Sequence, residues 1–265
     1  MAHTHTYFSE VHASKASQFF GDECHVTNTE EMKELRSKLE NSPDDFDLLI
    51  QLADKLNFQL RYRESLALYE RAVVLRPDDV TARRGRAARF LTTLQTQKAY
   101  DDYVACRKMD PKAVDIACRV GISAYILEKD KTAAEVLAWG VAHSAEDPET
   151  QVAAAYWLAM AEIRQNAGAG AWREFDFTAE IGHHTGYRSG LLVLCGRESA
   201  EATYEEVKKS EDSLNGCIVL YALAIWYKKN GNDVRYKELL QEIIAWDDFW
   251  PGFAYLVAWS EVKGK

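Results

Sequence analysis

Two stretches of the chain, YERAVVLRP at residues 69–77 and YVACRKMDP at residues 103–111, carry the same pattern. In each, an aromatic residue is followed three positions later by a small residue and eight positions later by a proline. The pattern thus recurs with a period of roughly 34 residues, within the range of about 20 to 50 residues that is typical of repeat proteins. In such proteins each unit buries its apolar face against its neighbours. The pattern therefore predicts an array of helical repeats.

Small residues recur with the same period in the preceding helix of each predicted unit. Ala53, Ala87 and Gly121 are separated by one period each, at positions where two helices cross and only a small residue lets the backbones approach. Ala159 comes four positions later than one further period would place it, which indicates an insertion of four. Ala224 follows Ala159 after slightly less than two periods, which leaves room for one compressed unit between them.

This pattern resembles the signature of tetratricopeptide repeat (TPR) proteins, W-x2-L-G-x2-Y followed by A-x3-F and P. The first unit matches it with Leu49-x2-Leu52-Ala53-x2-Leu56, then Ser65-x3-Tyr69, and then Pro77. The resemblance implies an all-α fold, a right-handed α-solenoid of helix–turn–helix repeats with capping helices at its ends. Terminal helices with one polar face are expected because an array has to cover its last apolar surfaces.

We expect one continuous domain over residues 29–265, preceded by a partly ordered N-terminal segment at residues 1–28. Residues 29–41 are predicted to form a short helix capped by Thr29. The units are placed near residues 45–78, 79–112, 113–147, 151–184, 186–212 (degenerate) and 213–247, with a capping helix at 249–263.

The composition favours a folded protein whose partner is another protein. Apolar residues make up 47% of the chain, as in globular proteins, and the formal charge of −9 disfavours nucleic acid and anionic membranes as partners. No run approaches the length of apolar sequence that a membrane span needs, so no membrane span is expected. Five cysteines without a C-x-x-C pair, and an N-terminus unlike a signal peptide, predict a cytoplasmic protein with reduced thiols.

The sequence contains no motif for catalysis or for a cofactor. A nucleophile elbow, a phosphate loop and a dinucleotide fingerprint are all absent, so we expect no enzyme activity, no cofactor and no metal site. One group of potential metal ligands lies near the N-terminus, but it lacks the paired halves of a zinc site and we interpret it as part of a loosely ordered tail. Its members are His3, His5, His12, Cys24 and His25.

The resemblance also implies where a partner binds, namely on a concave face lined by the first helix of each unit. The candidate residues are mostly apolar: Ile50, Asp54, Arg84, Leu91, Cys118, Ile122, Tyr125, Tyr156, Met160, Tyr221 and Ile225. A carboxylate clamp of the kind found in some chaperone-binding TPR proteins does not fit, because Asp54 and Asp115 would repel a carboxylate. The sequence therefore predicts a scaffold or adaptor with a groove for a peptide or amphipathic segment of another protein.

Other functions stay open at this point, and so does the oligomeric state. The array could enclose a pocket, lined by Tyr125, Tyr156 and Tyr221, and act as a sensor of a small molecule or peptide. It could also be an accessory subunit whose apolar face is permanently covered. A tightly wound array or the N-terminal segment could equally cover the apolar strip.

Four arginines crowd one predicted helix and allow two interpretations. The four are Arg83, Arg84, Arg86 and Arg89. Their side chains either pack and pair with nearby acidic residues or contact an anion or an acidic peptide. The candidate acidic partners are Asp78, Asp79, Asp101 and Asp102.

Overall fold

The computed structural model describes residues 28–167, 170–246 and 250–263. In these ranges the regular structure consists of thirteen α-helices and one short 3-10 helix, without a β-strand, so the fold is all-α as predicted. The same ranges contain no helix that is both long and apolar enough to cross a bilayer. The chain divides after Lys112 into two compact units. The predicted N-terminal segment, with its histidines and Cys24, lies outside the described residues except for Asn28.

In residues 28–112, the described part of the first unit, there are five helices, each packed against the next along the chain. They are α1 (Glu30–Asn41), α2 (Phe46–Phe58), α3 (Tyr62–Leu75), α4 (Val80–Thr92) and α5 (Thr96–Met109). Helix α1 begins as predicted, because the Thr29 hydroxyl accepts a hydrogen bond from the Met32 amide at 3.3 Å. Met32, Leu35 and Leu39 are buried on its inner side, and its other side is charged.

The described residues of the second unit form eight α-helices and the 3-10 helix. They are α6 (Val114–Ile126), α7 (Asp130–His143), α8 (Pro148–Arg164), the 3-10 helix (Ala171–Glu174), α9 (Thr185–Leu194), α10 (Ala200–Val207), α11 (Ser213–Lys229), α12 (Asp233–Ala245) and α13 (Phe253–Lys263). Helices α9 and α10 lie in the range placed for the degenerate unit, and α13 lies in the range placed for the capping helix. The uninterrupted apolar run from Ala254 to Ala258 leaves α13 without the polar face that was expected of a terminal helix.

In the first four repeats, the first helix starts at the same point of the repeat period. The N-cap residues are Asp45, Asp79, Ala113 and Asp147. Each aspartate accepts hydrogen bonds from backbone amides of the first turn, for example Ala82 N–H to Asp79 Oδ1 at 2.8 Å. Ala113 has no side chain that accepts such a bond, so α6 alone among these four helices begins uncapped.

These four helices, and also α9 and α11, are each followed by a residue with positive φ and a turn that reverses the direction of the chain. The left-handed residues are Leu60, Leu94, Glu128, Asn166, Gly196 and Gly231, with φ between 51° and 78°. In each case the next amide bonds back to a carbonyl five residues earlier, as in Arg61 to Leu56 at 3.0 Å. This is the Schellman motif, which satisfies carbonyls at the helix end and turns the chain into the second helix.

The small positions serve the close helix packing predicted for them. A Cβ added at Gly121 would lie 2.5 Å from Leu137 Cγ, and one added at Gly85 would lie 2.2 Å from Tyr69 Cε1. In the degenerate unit, α9 packs tightly on α11 through Gly190, where an added Cβ would lie 2.8 Å from Ala222 Cβ. Small residues therefore set how closely neighbouring helices approach.

The structure differs from the predicted repeats in the fourth unit. The insertion of four residues is one extra turn, since α8 has 17 residues where α6 has 13. In the unit placed at 151–184, the second helix of the repeat is reduced to the 3-10 helix Ala171–Glu174. The chain turns there because the Asp176 carboxylate accepts bonds from the Thr178 amide at 2.9 Å and from the Thr178 hydroxyl at 2.7 Å.

Candidate interaction surfaces

The first unit presents an exposed surface on helices α2 and α4, which we call the open face. It is defined by Ile50, Asp54, Phe58 and Arg84. Asp54 and Arg84 are exposed, Ile50 is half-buried, and the Phe58 ring is 80% exposed. Leu91 on α4, which the sequence predicts for the same surface, is instead buried and only 2% exposed.

A polar network joins α2, α3 and α4 beside the open face. The Tyr69 hydroxyl donates to the Asp54 carboxylate and accepts from the Asn57 amide at 3.3 Å. Arg89 donates to Asn57 Oδ1 at 2.6 Å, and its guanidinium lies 4.2 Å from the centre of the Tyr62 ring. Burial, followed by the hydrogen bond to Asp54, raises the pKa of Tyr69, so its hydroxyl stays a donor. These bonds hold Asp54 in place on the surface.

Some arginines of α4 pair with an acidic residue of the protein, and one is exposed at the surface. Arg86 forms a bidentate pair with Asp102, with both N–O distances at 2.7 Å, and Arg83 binds the same carboxylate at 3.0 Å. Asp102 is only 5% exposed, so this is a structural ion pair between α4 and α5. Packing and pairing are thus confirmed for Arg83 and Arg86, and the exposed Arg84 stays a candidate contact for a partner.

The apolar strip predicted in the second unit is covered, and this corrects its prediction as an accessible surface. Its residues on α6, α8 and α11 are each at most 5% exposed: Ile122, Tyr125, Tyr156, Met160, Tyr221 and Ile225. We call them the closed face. Helix α13 runs against this side of the unit, since the Phe253 ring lies 6.5 Å from the Trp157 ring and 5.8 Å from the Arg119 guanidinium.

Two tyrosines of the closed face contact each other, and the third is hydrogen-bonded to the backbone. The Tyr125 and Tyr221 hydroxyl oxygens are 2.7 Å apart, and the Tyr156 hydroxyl donates to the Ile218 carbonyl at 2.6 Å. Trp157, which sequence reasoning missed, fills the space between the Tyr125 and Tyr221 rings at centroid distances of 5.8 and 6.0 Å. The sensor pocket expected between these three tyrosines is therefore replaced by a packed aromatic cluster.

Glu261, near the end of α13, connects this helix to three others, α8, α11 and α12. Its carboxylate accepts hydrogen bonds from the hydroxyls of Tyr221, at 2.8 Å, and Tyr236. It also pairs with Arg164 at 3.2 Å, and Arg164 in turn binds Asp130 at 3.1 Å. We call this set the Glu261 latch. Its partners lie 40, 25 and 97 residues away along the chain, so no local sequence signal indicates them.

The tyrosines around Glu261 and in the closed face have raised pKa values and stay protonated. Burial, followed by the adjacent Glu261 charge, raises the pKa of Tyr221 and of Tyr236. Burial also raises the pKa of Tyr125 and Tyr156. These hydroxyls therefore stay neutral and can donate hydrogen bonds across the ordinary pH range.

A cavity of about 770 Å³ lies beside the latch at the C-terminal end of α13. Arg164, Lys228, Tyr236, Ser260 and Glu261 contribute polar groups to its wall. Lys228 lies 4.4 Å from the centre of the Tyr236 ring and donates to its hydroxyl at 3.4 Å. The polar groups of the wall are thus largely engaged with one another.

Cys118 faces the second helix of its own repeat and not a groove, which corrects its prediction as a partner contact. A Cβ added at Gly140 in α7 would lie 3.3 Å from its sulfur. Burial raises the pKa of the Cys118 thiol to about 11, so it stays protonated and unreactive. Among the residues that the structure describes, no group of three or more His, Cys, Asp or Glu side chains is placed to hold a metal ion.

Comparison with known proteins gives a likeness in structure only. No protein-family model matches the sequence, and no curated protein matches it. A TPR protein from Parabacteroides merdae ATCC 43184 is 12% identical, with a TM-score of 0.55 over 96% of this chain and 99% of that one.

Two further solved structures fall below a TM-score of 0.5. YrrB, described as a TPR protein with an unusual peptide-binding site, is 16% identical, with a TM-score of 0.46 over 86% of this chain and 97% of that one. MamA is 14% identical, with a TM-score of 0.48 over 77% of this chain and 97% of its own. The likeness to the Parabacteroides protein and the repeat geometry together identify the fold of this chain as an all-α solenoid of TPR type.

Proposed function

We propose that this chain is a non-catalytic scaffold that binds a peptide or amphipathic segment of another protein on the open face. The observation that carries the proposal is Phe58, whose ring is 80% exposed. Phe58 lies one helical turn from the exposed Asp54 on α2. An exposed aromatic ring next to charged groups is the usual composition of an interface anchor.

The open face is also prepared for binding by the network beneath it. Asp54 is held by Tyr69, and α2 is tied to α4 through the Asn57–Arg89 hydrogen bond of 2.6 Å. A surface held in its bound geometry loses less conformational entropy on association. The exposed charges of Asp54 and Arg84 would orient a partner segment, because charges at an interface contribute specificity more than affinity.

The proposal is tested by selecting a displayed peptide library against the intact protein and titrating the selected peptides against four proteins. These are the wild type, Phe58→Ala, Arg84→Ala and Val74→Ala. Val74 is the matched control, an apolar residue 78% exposed on α3. We expect Phe58→Ala to weaken binding about tenfold or more, Arg84→Ala to weaken it less, and Val74→Ala to leave it unchanged. Peptides that bind Phe58→Ala as well as the wild type would place the site elsewhere.

We further propose that the protein works in a reducing compartment, as expected for a cytoplasmic protein. Cys106, Cys118 and Cys217 are buried reduced thiols that serve as small apolar residues in the packing. Burial raises the pKa of Cys106 to about 11, as it does for Cys118. Cell fractionation of the natural protein would decide between compartments.

A further inference from the structure

Helix α13 contacts helices of earlier repeats, which the last helix of a regular array would not reach. The last helix of a stack of repeats contacts its nearest neighbours, since each repeat packs only on the next. Helix α13 does pack on α12 and α11, but it also reaches α6 and α8, which belong to earlier repeats. It therefore packs against the helices that carry the closed face, and bonds directly to Tyr221 of that face.

The contacts of α13 describe the chemistry that the closed face recognises. At one end, the Phe253 ring packs against the Trp157 ring and the Arg119 guanidinium. In the middle, five consecutive residues from Ala254 to Ala258 are each at most 2% exposed. At the other end, Glu261 accepts bonds from Tyr221, Tyr236 and Arg164. The face thus takes an aromatic residue, an aliphatic and aromatic run, and a glutamate eight positions after the first aromatic residue.

We propose that the closed face is a second interaction surface, a helix-binding groove in which α13 is the resident occupant. Its partner is a helix of another protein with the chemistry of α13, an aromatic–apolar segment with a glutamate placed to reach Arg164. The partner helix displaces α13 and takes over its contacts. This inference does not depend on the open face, which lies in the other unit.

Competition with α13 sets the apparent affinity of such a partner. A segment tethered in the same chain has an effective concentration in the millimolar range, so the groove is almost always filled. The apparent dissociation constant of an external helix is its intrinsic value divided by the fraction of molecules with an open groove. A change that weakens the latch without altering the groove's apolar walls should therefore strengthen binding of the external helix.

Glu261→Gln is such a change, because it removes a charge from the end of α13. The amide still accepts a hydrogen bond, but Arg164 loses one of its two carboxylate partners and the tyrosines lose a charged acceptor. Glu242→Gln is the matched control. Glu242 likewise accepts from a tyrosine hydroxyl, that of Tyr204 at 2.7 Å, but this bond joins α12 to α10 and does not involve α13.

The test titrates a fluorescent peptide of residues 250–263 into the full-length proteins and reads its anisotropy. We expect Glu261→Gln to bind the peptide at least tenfold more tightly than the wild type, and Glu242→Gln to bind like the wild type. Hydrogen exchange should show faster exchange of the α13 amides in Glu261→Gln. Phe58→Ala, which affects the open face, should leave peptide binding unchanged, so that the two proposals can fail separately.

Several outcomes would overturn the proposal. If α13 exchanges faster in Glu261→Gln and the peptide still does not bind, the closed face is a core surface and not a groove. If α13 exchange is unchanged, Glu261 is not a latch. If light scattering shows that Glu261→Gln dimerises in place of binding the peptide, the occupant is the α13 of a second copy. Tyr236→Phe, which removes one donor to Glu261, is judged by the same criteria if Glu261→Gln does not fold.

Discussion

Helices α4 and α8 hold equivalent places in their repeats, yet the side chains on their inward positions have different surroundings. Arg84 on α4 is exposed, whereas Tyr156 on α8, at the corresponding position, is fully buried. The difference comes from the second unit's own helices, because α11 and α13 pack over the inner side of α8. A position in a repeat therefore does not define a binding residue until the residues that cover it are known.

The two units also stabilise their inner surfaces differently. Beside the open face, hydrogen bonds among Asp54, Asn57, Tyr69 and Arg89 organise the surface. In the closed face, apolar burial dominates, and polar groups are concentrated in the Glu261 latch. Loss of an inward side chain should therefore lower the free energy of unfolding much more in the second unit than in the first.

Trp157→Ala tests this contrast most strongly. Trp157 is fully buried against Tyr125, Tyr156 and Tyr221, so its truncation should lower the free energy of unfolding of the second unit by about 3–5 kcal/mol. Phe58→Ala in the first unit should change stability by no more than about 0.5 kcal/mol. Hydrogen exchange in increasing urea measures the free energy of unfolding of each unit separately. Equal losses in both would mean that the two faces do not differ in this way.

Alkaline pH should weaken the closed face through its tyrosines. Burial raises the pKa of Tyr125, Tyr156 and Tyr221 in the folded protein. In the unfolded chain they ionise near pH 10, so between the two pKa values the folded state binds more protons and stability falls as pH rises. Stability of the second unit should hold up to about pH 10 and decline above it. Tyr221→Phe should make this decline shallower, and an unchanged slope would exclude Tyr221 as a contributor.

Gly85→Ala adds only one methyl group but should clearly lower the stability of the first unit. The added methyl would lie 2.2 Å from Tyr69 Cε1, so the Tyr69 ring has to move and its bond to Asp54 is disturbed. We expect a loss of about 1–3 kcal/mol, measured by denaturant unfolding. In a double-mutant cycle, Tyr69→Leu should remove most of the penalty. If the two effects simply add, the close contact is not the cause.

Ala113→Asp is expected to give a small gain. It would supply α6 with the N-cap that Asp79 supplies to α4, and should stabilise the second unit by about 1 kcal/mol. Asp79→Ala should cost the first unit about as much. Thermal unfolding of the two variants measures both effects. A stable Asp79→Ala variant would show that N-caps at this point of the period contribute little.

Most of the repeat framework was predictable from the sequence, because its signals are local and periodic. Thr29 with Met32, Leu35 and Leu39 predicts α1, and the spacing of Ala53, Ala87 and Gly121 places α2, α4 and α6. The shift of four residues before Ala159 is visible in the sequence as well, and corresponds to the extra turn of α8.

The covering of the closed face could not be predicted in this way. Residues 254–258 of α13 are apolar without interruption, so the helix has no polar side that indicates how it lies. Cys118 shows the same limit, since its position in the repeat suggests a groove and its sulfur lies beside Gly140. The distance along the chain between Glu261 and Arg164 also leaves no trace in any local pattern.

The left-handed residues at the helix ends affect how well the repeat can be recognised in the sequence. Leu60, Leu94 and Glu128 have nearly the same φ, 58°, 61° and 58°, although two are aliphatic and the third is charged. The turn at each helix end thus has the same conformation with different side chains, at a cost of roughly 1–2 kcal/mol per residue that glycine would avoid. The amino acid at these points is therefore a weaker signal of the repeat than the backbone conformation.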